Sequence, residues 1–177
     1  DGSSSYGNMF HYKLRLDGTY ITNSNVTRRH GGIYEQETYC ISYTIDIGGT
    51  DDIANGKIAS WNEPKIIEVH ARDYDSNHEV LLHRVSEMNG SGSYTTVIKP
   101  HLEITAIGEE NLVYNLTNQY SITEGQVLET LAGVCDGRTV TVSSGIYTLT
   151  NVTVKQDMST TYSQATGSSI SYKPPPG

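Results

Sequence analysis

The sequence predicts an all-β protein: an antiparallel β-sandwich or barrel with little or no helix. Three observations carry that prediction. Apolar and polar residues alternate with period two, the mark of a strand with one buried face. The runs are rich in β-branched residues and tyrosine, which pack well on a pleated surface. They are punctuated by Asp-Gly and Asn-Gly dipeptides, which supply the positive φ of tight hairpin turns.

Taken in order, residues 12–16 form a strand ahead of an Asp17-Gly18 turn. In 39–47 every odd position is apolar or aromatic (Tyr39, Ile41, Tyr43, Ile45, Ile47). A longer loop, Gly48-Gly49-Thr50-Asp51-Asp52, and an Asn55-Gly56 turn follow. Residues 66–70 are expected to pair with 79–82 across a loop at 73–77. Asn89-Gly90 stands before a β-branched run at 94–98. Residues 123–131 read either as one or two helical turns capped by Thr123 or as a strand. Asp136-Gly137 leads into strands at 139–142 and 145–154. Ile170 and Tyr172 alternate in a final edge strand before a short polyproline end. The whole gives roughly nine to twelve short strands. One domain over 1–177 is expected, with 1–8 and 173–177 as loose termini.

Composition explains how such sheets are covered. Of 177 residues 36 % are hydrophobic and 18 % charged, below the averages of about 45–50 % and about 25 %. Eighteen Ser, 20 Thr and 13 Tyr, with a single Phe, make up the difference. A tyrosine ring buries area while its hydroxyl stays wet, so half-buried sheet faces are expected. No run approaches the ~18 apolar residues of a membrane-spanning helix. A formal charge of −8 and a pI near 5.1 exclude broad nucleic-acid binding, which needs a basic face.

Candidate chemistry is sparse. His70, Arg72, Asp73, Asp75, His78, Glu79 and His83 form the most polar cluster and raise metal or acid–base chemistry. His78 and His83 are one residue further apart than in His-Glu-x-x-His, so they share no helix face, and on a strand they point to opposite sides. The cluster is therefore read as structural. Asp46, Asp51 and Asp52 raise calcium, but the twelve-residue loop pattern is missing. No Gly-x-Ser-x-Gly elbow occurs, and the Arg28-Arg29-His30 run reads as an exposed loop. No catalytic residue or metal ligand is assigned, and no enzyme is expected. Trp61, Tyr43, Tyr74 and Tyr147 remain as rings able to line a sugar site or an apolar cleft, although sheet packing uses the same rings.

Four Asn-x-Ser/Thr sequons, at Asn25, Asn89, Asn115 and Asn151, predict N-linked glycans. With an opening on Asp1 rather than Met, they predict a processed, secreted protein. In that compartment Cys40 and Cys135, which fit no zinc spacing, are expected to form a disulfide. Such a bridge closes about 95 residues and is worth about 4–5 kcal/mol in the chain-entropy model.

The segment Val69-His70-Ala71-Arg72-Asp73-Tyr74-Asp75, with Val80-Leu81-Leu82 after it, resembles the second lipocalin signature, in which an Asp-Tyr turn leads into an apolar strand. The family's Gly-x-Trp is absent, since Trp61 follows Ala59-Ser60. In overall profile the chain resembles a subunit of a gastropod egg-fluid perivitellin of the glycosylated carotenoprotein type: the Asp1-Gly-Ser-Ser-Ser-Tyr6 opening, the sequons, the acidic balance and the size. That resemblance implies an oligomer of like or homologous subunits that stores nutrient and carries a carotenoid. The leading expectation is accordingly a non-enzymatic, secreted, glycosylated subunit of an oligomeric storage protein with an apolar ligand. The alternatives are a carbohydrate-binding, lectin-like module, and a structural subunit of an extracellular filament or viral spike, joined through the strand at 9–16 or at 169–173.

Overall fold

The first strand organises the molecule because both of its edges are used. The computed structural model describes residues 9–29, 38–74, 80–85, 96–108 and 127–176. Within them the strands run, in chain order, β1 (Met9–Leu16), β2 (Thr19–Tyr20), β3 (Val26–Arg29), β4 (Asp46–Ile47), β5 (Lys57–Ile58), β6 (Lys65–Asp73), β7 (Leu81–Leu82) and β8 (Arg84–Val85). They continue as β9 (Thr96–Val97), β10 (His101–Ile107), β11 (Val127–Val134), β12 (Thr139–Val142), β13 (Gly145–Thr148), β14 (Gln156–Asp157), β15 (Ser163–Gln164) and β16 (Ile170–Tyr172). Two 3₁₀ turns, Thr22–Ser24 and Ile53–Asn55, are the helical segments among the described residues. The fold is all-β, and every described pairing is antiparallel except the short β4–β5 contact.

β1 pairs with β6 from Phe10↔Asp73 to Leu16↔Ile67, and its other edge takes β3 and then β2. The β1–β2 turn is the two-residue hairpin expected of Asp17-Gly18, with φ of 44° and 84°. The Asp17 carboxylate accepts the Ile66 N–H (2.8 Å) and meets Lys65 Nζ at 3.0 Å, which ties the turn to β6. β6 takes β15 and β16 along its far edge, completing a six-stranded sheet. The expected pairing of 66–70 with 79–82 is therefore corrected: both edges of β6 are filled, and β7 pairs with β14 instead. β1 and β16, the two strands considered for joining a neighbouring subunit, are both paired within the chain.

Alternation divides the sheet into two faces. Phe10, Tyr12 and Leu16 of β1 lie with Ala71 of β6 and with Ile170 and Tyr172 of β16 on the buried side. Leu16, Ile170 and Tyr172 pack with Ile21, Ile58, Trp61, Leu131 and Leu149, drawing the β10–β11 and β12–β13 hairpins onto the sheet. Phe10, Tyr12 and Ala71 form a second cluster with Val80 and Met158. Each fully buried aliphatic or aromatic side chain contributes about 1.5–3 kcal/mol relative to exposure.

Other sequence expectations meet the structure piecemeal. Over 39–45 the alternation holds as burial, odd positions half-buried and even ones exposed, but ladder pairing begins only at β4. Gly56 (φ 75°) ends a 3₁₀ turn rather than a hairpin, and the β12–β13 turn falls at Ser143-Ser144. From Val127 the ambiguous 123–131 stretch is strand β11; residues 123–126 lie outside the described residues, as do 1–8 and the Asn89-Gly90 turn.

The disulfide is also corrected: Cys40 and Cys135 are both free. Cys40 occupies an even, outward position of the alternating segment. Cys135 is fully buried, and its thiol donates to the Gly167 carbonyl at 3.1 Å. Burial, aided by the Asp136 carboxylate, pushes the Cys135 thiol pKa up. Gly167 holds φ 88°, and a Cβ there would stand 2.6 Å from Val152 Cγ2, so only glycine closes this corner over Cys135.

Candidate functional site

Three of the four rings singled out in the sequence gather at one core rather than on a ligand surface. Trp61 is 8 % exposed, lies edge-on to Tyr172 at 6.1 Å, and donates through Nε1 to the Tyr172 carbonyl at 3.0 Å. Tyr147 packs 5.5 Å from the same ring and donates to the Lys173 carbonyl at 3.0 Å. Tyr43 packs against that cluster and donates to Asn23 Oδ1. Tyr74, 45 % exposed, stands apart beside His11. Asn25 and Asn151 are exposed, whereas Asn89 and Asn115 lie outside the described residues. Asp51 and Asp52 are used locally, accepting from the Ala59 N–H (2.6 Å) and from Asn55 Nδ2 (2.8 Å). Asp75, His78 and Glu79 lie outside the described residues.

The outer face of the central sheet brings together a different set. The odd positions of β1 carry His11, Lys13 and Arg15, and the register sets Arg72, His70 and Glu68 of β6 beside them in that order. β2 adds Tyr20 opposite Arg15, β15 adds Gln164 opposite His70, and Tyr162 precedes β15. Lys13 Nζ lies 5.4 Å from the Tyr20 ring centre and 5.3 Å from that of Tyr162. The Arg15 guanidinium stands 5.7 Å over Tyr20, and that of Arg72 stands 5.1 Å over Tyr162. Each ring therefore holds two cations, and each such contact is worth about 0.5–1 kcal/mol at a partly exposed site.

Beneath the rings, His70 is buried, with Nδ1 3.0 Å from Tyr20 Oη and Nε2 3.4 Å from Glu68 Oε2. Glu68 also lies 3.4 Å from Arg15 Nη1 and is the one carboxylate on these register positions. Lys13 has no carboxylate partner among the described residues. Arg72 reaches the Thr160 carbonyl only at 3.5 Å, and its buried Nε has no hydrogen-bond partner among the described residues. His11 Nδ1 is 2.8 Å from Thr27 Oγ1, while its buried Nε2 is likewise unpartnered. Burial, then the Arg72 charge, lower the His11 pKa. At the rim Tyr162 Oη donates to Asn25 Oδ1 at 3.1 Å. Both polar members of the Asn25-Val26-Thr27 sequon thus border this face.

A second polar constellation surrounds Glu129, which is buried on β11. Its Oε1 accepts from Ser144 Oγ (2.5 Å) and Tyr172 Oη (2.7 Å), and its Oε2 from Ser143 Oγ (2.6 Å) and the Ser144 N–H (2.9 Å). Burial opposes the charge, but these four donors outweigh it and hold the carboxyl down at about 2. A carboxylate offers about four lone-pair sites, and here all are filled. Burial and the Glu129 charge push the Tyr172 hydroxyl pKa up. The group locks the β12–β13 turn to β11 and β16. With its acceptor sites filled and its pKa near 2, it is poorly suited to serve as a base near neutral pH.

Sequence reasoning found His70 and Arg72 but read them as members of a single hairpin. It passed over Lys13, Arg15, Tyr20 and Tyr162. The available signal was the even–odd split of β1, which sets three cationic or imidazole side chains on one face. Nothing local marks Tyr162, which reaches the face only through the two-residue β15. No family model matches this chain, and neither a curated protein nor a solved structure is significantly similar to it.

Proposed function

We propose that this chain is a non-enzymatic, secreted glycoprotein module that binds carbohydrate through the outer face of its central sheet, in the manner of a lectin. One observation carries the reading: Lys13, Arg15 and Arg72 are held on two tyrosine rings against a single carboxylate. Charged side chains are normally balanced within the fold, and neither Lys13 nor Arg72 has a carboxylate partner among the described residues, so a ligand can balance them. The exposed side chains of Thr27 and Gln164 border the face and suit sugar hydroxyls. Trp61 is not part of this reading, because its indole is packed in the core. A broad glycan array tests it. Binding that is lost in Tyr162→Ala but kept in Val154→Ala, an exposed change elsewhere, supports the reading; silence across the array refutes it.

A second reading, the oligomeric storage subunit carrying a carotenoid, draws support from two exposed apolar residues at one end of the β10–β11 ladder. Ile107 and Val127 pair there and are 59 % and 54 % exposed. Native mass spectrometry and visible absorption of protein from its source test this: a colourless monomer counts against it.

A further inference from the structure

We infer that the ligand of the outer face is a short acidic saccharide whose carboxylate or sulfate groups bind along the row Arg72–Lys13–Arg15. The inference rests on the carbohydrate reading above and adds the ligand's charge and length. The register sets Arg72 beside His11, so Lys13 stands two positions along the row and Arg15 four. At about 3.3 Å per residue the row is about 13 Å long. A single small anion meets one end of it, whereas a chain with anionic groups on successive sugar rings meets all three cations.

Local charge runs against the molecule as a whole. The chain carries a formal −8, yet these register positions hold three permanent cations and only Glu68 to offset them. The tyrosine rings fix those cations before any ligand arrives, which reduces the ordering cost of binding.

The same geometry disfavours other polyanions. Single-stranded nucleic acid stacks its bases on aromatic faces, but here Lys13, Arg15 and Arg72 already cover the faces of Tyr20 and Tyr162. The net negative charge also repels a long polyanion while leaving a short one to the local field. An acidic peptide finds no aliphatic side chain among the row positions His11, Lys13, Arg15, Glu68, His70 and Arg72.

The test uses the full glycosylated chain and five probes: a heparin tetrasaccharide, a hyaluronan tetrasaccharide, cellotetraose, oligoglutamate and oligothymidylate. Titration calorimetry at rising salt is expected to show one or both acidic saccharides bound best, with affinity falling steeply as charge is screened. Lys13→Met and Arg72→Gln are each expected to weaken binding about ten-fold or more, about 1.4 kcal/mol, with the circular dichroism spectrum unchanged. Lys13→Arg is expected to keep most of the affinity, and with Arg72→Gln it decides the matter if Lys13→Met does not fold. Binding of cellotetraose alone, or acidic-saccharide binding indifferent to both substitutions, overturns the inference while leaving the carbohydrate reading intact. Preference for oligoglutamate or oligothymidylate overturns it in favour of another class of partner. Failure of every saccharide here and on the glycan array overturns both.

Discussion

The Glu129 node and the outer face of the central sheet are both polar clusters built around tyrosine hydroxyls, yet their balances are opposite. At Glu129 one carboxylate meets four donors and nothing is left over. On the outer face Arg15 meets the one carboxylate, while Lys13 and Arg72 have no carboxylate partner among the described residues. Buried polar groups are costly unless paired, and a fully paired network rigidifies the fold around it. The closed set is thus suited to holding elements together, and the open one to receiving something from outside.

Substitutions can break that contrast, and the largest effect is expected at the closed node. Glu129→Ala strands the donors of Ser143, Ser144 and Tyr172 and should cost about 3 kcal/mol in urea denaturation, with saccharide binding unchanged in the folded fraction. A loss under about 1 kcal/mol would mean that the node does not lock the hairpin. Acid should act through the same group. The Glu129 pKa is lowered from 4.5 to about 2 by folding, so its contribution is fully present above about 4.5 and is lost as pH falls through about 2. Glu129→Gln should flatten the stability–pH curve in that window, and an unchanged curve would assign acid unfolding elsewhere. Tyr172→Phe removes one donor from a charged acceptor and should cost about 1.5–3 kcal/mol.

Smaller effects sharpen the other half of the comparison. Lys13→Met should cost about 1–2 kcal/mol of stability, since it removes two partly exposed cation–π contacts worth about 0.5–1 kcal/mol each, while abolishing most saccharide affinity. A large loss of stability without loss of binding would reverse the roles of the two regions. Smallest of all, Cys40→Ser or added reductant should leave the unfolding free energy within the ±0.5 kcal/mol of a surface change. A native 95-residue bridge would instead show a loss several times larger.

Much of the fold was legible because alternation is a local property. Phe10, Tyr12 and Leu16 against His11, Lys13 and Arg15 already divide β1 into a buried and an outer face. Asp17-Gly18 turns where its chemistry demands. The same parity sets Cys40 on an outward position, and that reading, carried through, argues against a bridge to a core cysteine. Trp61 could be read from sequence either way, because a ring suited to sugar stacking is equally suited to a core; in the fold it lies against Tyr172 in the core.

By itself, then, the sequence determined the all-β class, the first hairpin turn and the face on which each β1 side chain lies. All of these follow from backbone geometry over a few residues. Tertiary structure alone decided that β6 lies between β1 and the C-terminal strands, that Glu129 meets Ser143, Ser144 and Tyr172, and that Tyr162 closes over Lys13 and reaches Asn25, 137 residues away in the chain. Pairing between remote segments depends on loop closure and on which apolar surfaces fit together, and no short-range pattern encodes either.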